Sequence, residues 1–219
     1  AVKGIDVFID GHSHSDLEAV KAATGGTGKV GDTLLTSTGT KLAGIGCVVI
    51  SKDGITATTI PTSELTTTSD KTVADRAAAI QKQIDDDYGT VFAKTTYELN
   101  GAKAPNGNRD GETNLGDLIT DALVWGAKQN GEAVDAAVTN GGGIRATVKA
   151  GDITKKDVNT VLPFGNTLSI VKVTGAELLE ALEASTYCTP DSIGGFPQVS
   201  GIVYTIDGTK TYDAGDVYE

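Results

Sequence analysis

At 219 residues, with 39% apolar and 21% charged side chains, the chain is long enough for one large or two small domains with cores of their own. A formal charge of −11 argues against binding to nucleic-acid polymers, because that relies on Lys and Arg neutralising phosphates. No apolar run approaches the ~20 residues of a membrane-crossing helix, and two cysteines, Cys47 and Cys188, are too few for a disulfide scaffold or a zinc ribbon, leaving one bridge or two free thiols equally open.

The chain opens Ala1-Val2-Lys3 and contains no methionine, as a mature product or a fragment would. Residues 5–10 read as a buried strand. Gly11-His12-Ser13-His14 follows and holds both histidines of the protein. On an extended segment alternate side chains face the same way, so His12 and His14 suit two ligands on one metal ion, or one on each of two. Gly11 lets the backbone turn tightly and aim them. β-rich runs at 33–37, 44–50 and 55–60 come next, with Lys52-Asp53-Gly54 as a hairpin turn. Thr66-Thr67-Thr68-Ser69-Asp70 is a polar linker in which Ser69 or Asp70 caps a helix. Val73, Ala77, Ile80 and Ile84 recur at helical spacing as its apolar face. The helix ends at Asp85-Asp86-Asp87, a solvated end whose charge opposes the macrodipole.

Arg109 precedes a helix predicted from Asn114 to about Gln129, in a loop where free N–H groups favour anions; pairing with a neighbouring acid is the other reading. Asn114 and Asp117 start that helix, and Leu115, Leu118, Ile119, Ala122 and Trp125 form its buried face. Residues 136–139 are a short buried strand opening into Asn140-Gly141-Gly142-Gly143-Ile144-Arg145. The glycines remove every Cβ and permit positive φ, so a ligand can approach the backbone closely. Between an amide and a guanidinium they make a cradle for phosphate or carboxylate, or else a mobile turn followed by a surface arginine. Residues 151–158 read as a short turn of helix. Phe164, in Leu162-Pro163-Phe164-Gly165, is either a core anchor or an exposed platform for a base. A strand over 167–173 precedes a helix begun by a Thr174/Glu177 capping box and running through Leu178, Leu179 and Leu182. One more strand follows Gly194-Gly195-Phe196-Pro197-Gln198. The order of elements is mixed α/β.

Asp6-Val7-Phe8-Ile9-Asp10-Gly11-His12-Ser13-His14 resembles the last metal-binding motif of the calcineurin-like metallophosphoesterases, in which a G-H-x-H loop supplies ligands to a two-metal centre. The ordered set E-T-N-L-G-D-L-I-T-D-A-L, N-G-G-G-I-R, L-P-F-G-N, T-G-A-E-L-L-E-A-L and F-P-Q-V-S-G, within about residues 95 to 206, resembles the C-terminal domain of the 5'-nucleotidase family. The resemblance implies an α/β chain in three parts. Residues 1–66 would be the closing strands of a metallophosphoesterase sandwich, 67–92 a linker helix, and 93–219 a mixed α/β substrate-binding domain. It implies that Arg109 and Arg145 hold the phosphate and ribose of a nucleotide. Asn140, beside Gly141, Gly142 and Gly143, would contact the nucleoside, and Phe164 would form one wall of an aromatic clamp. The family's second wall lies in a later G-G-D-G-F/Y motif, for which Asp213-Ala214-Gly215-Asp216-Val217-Tyr218 is no substitute.

The family's upstream D-x-H, G-D and G-N-H motifs do not occur in these 219 residues. His12 and His14 are therefore expected not to hold two divalent ions (zinc, manganese or similar) unaided, and no complete catalytic set is expected in this chain. The resulting expectation is a fragment of an extracellular, cell-surface or periplasmic 5'-nucleotidase that recognises the nucleotide and is inactive alone. Within the superfamily the alternatives are a 2',3'-cyclic nucleotide 2'-phosphodiesterase/3'-nucleotidase and a nucleotide-sugar hydrolase. Outside it, the alternative is a non-catalytic ligand-binding module.

Overall fold

The computed structural model describes residues 3–65, 69–210 and 212; residues 66–68 of the expected linker and the 213–218 segment lie outside the described residues. The chain divides into two compact units, Ala1–Asp75 and Arg76–Glu219.

In the first unit β1 (Val7–Ile9), β2 (Lys29–Val30) and β3 (Thr33–Thr36) form a sheet of order β1-β3-β2, with β1 parallel to β3 and β2 antiparallel to it. Parallel neighbours need a crossover, and α1 (Leu17–Ala23) lies within it. Asp16 caps α1 by accepting from the Ala19 N–H at 2.8 Å, and Leu17 and Val20 turn inward. β4 (Gly44–Ser51) and β5 (Gly54–Pro61) pair without a break from Gly44↔Pro61 to Ser51↔Gly54, so Lys52 and Asp53 are the turn. The β-rich runs expected at 33–37, 44–50 and 55–60 are all strands. The strand expected at 5–10 is shorter and not buried, with Phe8 49% and Ile9 71% exposed. A three-residue edge strand has a single hydrogen-bonded neighbour and little to cover its faces.

α2 (Lys71–Tyr88) crosses the division between the units. Asp70 caps it, accepting from the Val73 N–H at 3.1 Å. The apolar face read from the spacing is not covered by the described residues: Val73, Ile80 and Ile84 are exposed. The surface of α2 carries the ion pairs Lys71–Asp75 and Lys82–Asp86 at i,i+4 spacing, each worth about 0.3–0.5 kcal/mol. Asp85 at its end is not simply solvated. It meets Lys156 at 2.6 Å, and that hydrogen bond holds its carboxyl below the usual range.

In the second unit β6 (Val91–Thr95) pairs antiparallel with β8 (Gly151–Thr154), and β7 (Ala137–Asn140) with β9 (Pro197–Ser200). The helices are α3 (Asn114–Gln129), α4 (Lys155–Val161) and α5 (Gly175–Thr186). Leu99, Leu115, Ile119, Ile144 and Val161 form the core, with Ala146, Val148 and Ile153 packed against it.

α3 has the expected limits but a different cap and face. Thr113 caps it, its hydroxyl accepting from the Gly116 N–H at 3.0 Å. Asn114 instead turns back to accept from the Asn100 N–H at 2.8 Å and to donate to the Glu98 carbonyl at 2.9 Å. The buried residues are Leu115, Gly116, Ile119, Thr120 and Ala127, whereas Leu118 is 50% and Trp125 66% exposed and Ala122 is exposed too. The helix packs on β7 and β9. Space there is so tight that a Cβ at Gly116 would overlap the Gln198 side chain, so small residues face the strands and the larger apolar ones do not.

Residues 151–158 are β8 followed by the start of α4, divided by a capping box in which Thr154 and Asp157 bond reciprocally. Residues 167–173 form no strand, and Leu168, Ile170, Val171 and Val173 are exposed. Their sequence alternates suitably, but a strand needs a partner ladder, and none of the described residues provides one. α5 starts at the Thr174/Glu177 capping box as expected. Cys47 and Cys188 are both free thiols. Among the described residues no helix is long and apolar enough to cross a membrane.

The Thr154 cap gives a measurable expectation. The Thr154 hydroxyl, and then its backbone N–H, hold the Asp157 carboxyl below its ordinary range. A depressed folded pKa means that the stabilisation is present above the unfolded value and is lost as pH falls through the folded one. Thr154→Ala should cost about 1 kcal/mol at neutral pH. In urea melts at pH 7 and pH 3 the gap between wild type and variant should narrow at the acidic value.

Candidate functional site

β7 ends at Asn140 opposite Pro197 of β9, and the two chains stay joined beyond the strands. The Gly141 N–H donates to the Phe196 carbonyl and the Gly142 N–H to the Gly194 carbonyl, each at 2.8 Å. Gly141–Gly143 make a single 3-10 turn. Ile144 closes it, its N–H donating to the Gly141 carbonyl at 3.1 Å, and its side chain, 1% exposed, lies in the core. The turn is therefore hydrogen-bonded and anchored, not loose.

None of the three glycines has a positive φ. Their requirement is room. A Cβ on Gly141 would overlap the Asn108 carbonyl, and one on Gly142 would come within 2.8 Å of the Gly194 carbonyl oxygen. Close approach is what glycine supplies here, between two parts of the protein itself.

Arg145 follows the buried isoleucine. Its backbone N–H donates to the Val161 carbonyl at 2.9 Å, and its Nη1 donates to the Gly142 carbonyl at 3.1 Å. The guanidinium carbon stands 5.5 Å from the centroid of Phe164, a cation–π arrangement. Phe164 is 59% exposed, which makes it a platform and not a core anchor. Asn140 is exposed and donates from Nδ2 to the Gly194 carbonyl at 3.2 Å.

Arg109 arrives on a separate loop. Its N–H donates to the Lys103 carbonyl at 3.0 Å, and its carbonyl accepts from the Ile193 N–H at 2.9 Å. The alternative pairing with a neighbouring acid is not made among the described residues, and Nε is buried there without a hydrogen-bond partner. Burial, and then the charge of Arg145, lowers the Arg109 pKa from its ordinary value. Arginine is cationic at neutral pH, so Arg109 stands within reach of a like charge. That is an arrangement an anion stabilises by relieving the repulsion.

Arg109, Asn140, Gly141, Gly142, Gly143, Arg145 and Phe164 thus come together around one turn of the second unit. His12 and His14 belong to the first unit. They do not lie on an extended segment, because β1 has ended at Ile9 and both histidines have left-handed backbone, φ 67° and 62°. The unusual φ falls on the histidines and not on Gly11, and non-glycine residues occupy that region uncommonly. Among the described residues no group of three His, Cys, Asp or Glu side chains is placed to hold a metal ion. A catalytic zinc takes three protein ligands, so the two histidines alone do not fit a metal centre.

Two buried polar residues to which the motifs gave no role complete the region. Asn108 is fully buried, and its Oδ1 accepts from the Thr113 hydroxyl at 2.7 Å. Gln198 is 1% exposed and bonds to Asn108, Gly111 and Thr113. The available signal was a glutamine near the start of a strand, in the apolar run Phe196-Pro197-Gln198-Val199. A polar group in such a run is buried only if hydrogen-bonded.

A family model described as the 5'-nucleotidase, C-terminal domain, matches residues 91–215. The trifunctional nucleotide phosphoesterase protein YfkN of Bacillus subtilis is 32% identical over 212 residues, covering 93% of this chain and 14% of that protein. The cell wall protein Lmo0130 of Listeria monocytogenes is 40% identical over 110 residues, 48% of this chain and 14% of its own. Among solved structures, the 5'-nucleotidase precursor from Thermus thermophilus superposes with a TM-score of 0.62 at 28% identity, covering 90% of this chain and 41% of that one. The chain thus spans about a seventh of the length of the Bacillus and Listeria relatives.

Gly141→Ala tests the close approach. The added methyl meets backbone, which cannot swing aside as a side chain can, so a loss of about 1–3 kcal/mol is expected. Thermal unfolding of the variant measures it; an unchanged midpoint would show that the turn yields.

Proposed function

The chain belongs to the 5'-nucleotidase family, through the C-terminal domain of that family, and on that premise we propose that its second unit is the nucleotide-recognition part of a phosphoester hydrolase. The substrate class is the nucleoside monophosphates, which the whole protein converts to nucleoside and phosphate. One observation carries the reading: Arg109, which has no acid partner among the described residues and a buried, unbonded Nε, feels the charge of Arg145, and Arg145 lies over the exposed ring of Phe164.

Each group then has a task. Arg109 and Arg145 hold the phosphate and ribose end, exchanging mutual repulsion for charge-assisted hydrogen bonds. Arg145 covers one face of Phe164, and a base stacks on the other, a contact worth about 1–3 kcal/mol. Asn140 stands next to the turn and contacts the nucleoside. Gly141, Gly142 and Gly143 bring backbone, not side chains, to the ligand. The parts we propose are residues 1–66 as the end of a metallophosphoesterase domain, 67–92 as the linker and 93–219 as the recognition domain.

The family is metal-dependent, but His12 and His14 alone do not fit a metal centre, so we assign no reaction step to this chain. We propose that it binds nucleotide and does not hydrolyse it. The name of the Bacillus relative, a trifunctional nucleotide phosphoesterase, supports a second reading in which the intact protein accepts more than one nucleotide phosphoester. The cell-wall relative supports an extracellular or cell-surface location.

Calorimetric titration of the 219-residue chain with AMP tests the site. Arg145→Ala and Phe164→Ala should each weaken binding by about tenfold or more; unchanged affinity in both would sink the assignment. Metal-dependent release of phosphate from AMP by the purified chain would refute its inactivity.

A further inference from the structure

Arg109 presents a positional problem. Its guanidinium has no acid partner among the described residues, its Nε is buried without a hydrogen bond, and Arg145 repels it. A long, flexible cation in that situation gains by swinging towards water. Something other than its own side-chain bonds must therefore fix where it starts.

The backbone on either side of Arg109 is held by one buried side chain. Gln198 donates from Nε2 to the carbonyl of Asn108 at 3.2 Å and to the carbonyl of Gly111 at 2.7 Å. Its Oε1 accepts from the Thr113 N–H at 3.1 Å. Both amide hydrogens and the amide oxygen are in use, in a site closed to solvent. Thr113 links back to Asn108 through its hydroxyl at 2.7 Å, so residues 108 to 113 form a closed circuit around Arg109. The amide is itself fixed, since Gln198 pairs with Thr139 across the β7–β9 ladder, one residue from Asn140. Gly116 leaves the space it occupies, as a Cβ there would overlap it.

We propose that Gln198 is the positioning residue for Arg109, setting the phosphate-binding guanidinium in register with the Asn140–Arg145 turn. It acts through the backbone and touches no ligand. Only a side chain with two donors and an acceptor at this length closes the circuit. The inference rests on the nucleotide reading of the site, and it deepens that reading by tying phosphate recognition to a residue on β9.

The test compares AMP with adenosine on the full 219-residue chain by calorimetry, in wild type, Arg109→Ala, Gln198→Met and the double variant. Gln198→Met keeps the bulk and removes every hydrogen bond. The expected result is a loss of about tenfold or more in AMP affinity, little change for adenosine, and no further loss on adding Gln198→Met to Arg109→Ala. Equal losses for AMP and adenosine, or losses that add to those of Arg109→Ala, would overturn the proposal, because Gln198 would then only hold the domain together. A folded Gln198→Met chain with wild-type AMP affinity would overturn it too. If near-ultraviolet circular dichroism shows Gln198→Met unfolded, Gln198→Glu, which keeps the acceptor, is titrated against the same criteria, and unfolding of both variants counts against a positioning role. Failure of the underlying reading looks different: wild type would show no preference for AMP over adenosine, or Arg109→Ala would leave that preference intact, and both ideas would fall.

Discussion

The tightest constraint in the second unit is backbone against backbone, where Gly141 lies on the carbonyl of Asn108 with no room for a Cβ between them. Everything at the candidate site depends on that approach. It brings the loop carrying Arg109 to the turn carrying Arg145, two segments 36 positions apart in sequence. On one side the turn is sealed by Ile144 in the core, and on the other by hydrogen bonds from Gly141 and Gly142 to the chain leading into β9. A charged candidate site is thereby built on packing and main-chain bonds, with a single protein hydrogen bond, from Arg145 to the Gly142 carbonyl, made by its guanidiniums among the described residues.

Local grammar made much of this fold legible. The hairpin of β4 and β5, the limits of α3 and the Thr174/Glu177 cap are decided within a few residues by turn chemistry, helical spacing and capping. What depends on a distant partner was harder to read. Residues 167–173 have the composition of a strand, but pairing decides a strand, and composition does not contain the pairing. The face of α3 was misread for a related reason. Leu118 and Trp125 follow the helical period as well as Leu115 and Ile119 do, but it is Gly116, lacking a Cβ, that admits the glutamine of β9. α1 was missed because it is only seven residues long, two turns of mostly small side chains, although Asp16 before Leu17 is a capping signal and a parallel β1–β3 pair requires a crossover.

The candidate site was more legible than the packing around it. Arg109, Asn140, Arg145 and Phe164 were identifiable because their residue types suit anion and ring recognition and because they sit in ordered motifs. The physical reason offered for the glycines differs from the one the structure gives: they admit close approach between two parts of the protein itself, and none has left-handed backbone. Left-handed backbone appears instead at His12 and His14, where no local rule pointed to it. The chain's formal charge of −11 is no obstacle to an anion site, because two cations at short range outweigh a diffuse surface charge that salt screens within about 10 Å.

The two arginines differ in how much freedom they retain. Arg145 is stacked on Phe164 and bonded to the Gly142 carbonyl, so most of its rotamer entropy is already lost before any ligand arrives. Arg109 has no such tether on its side chain among the described residues, so although its backbone is held, ordering the side chain on a ligand would cost up to about 2 kcal/mol of rotamer freedom. In the proposed nucleotide site one cation would thus be rigid and the other adaptive. Such a pair would fix the ligand's orientation through the first and tolerate variation in its length through the second.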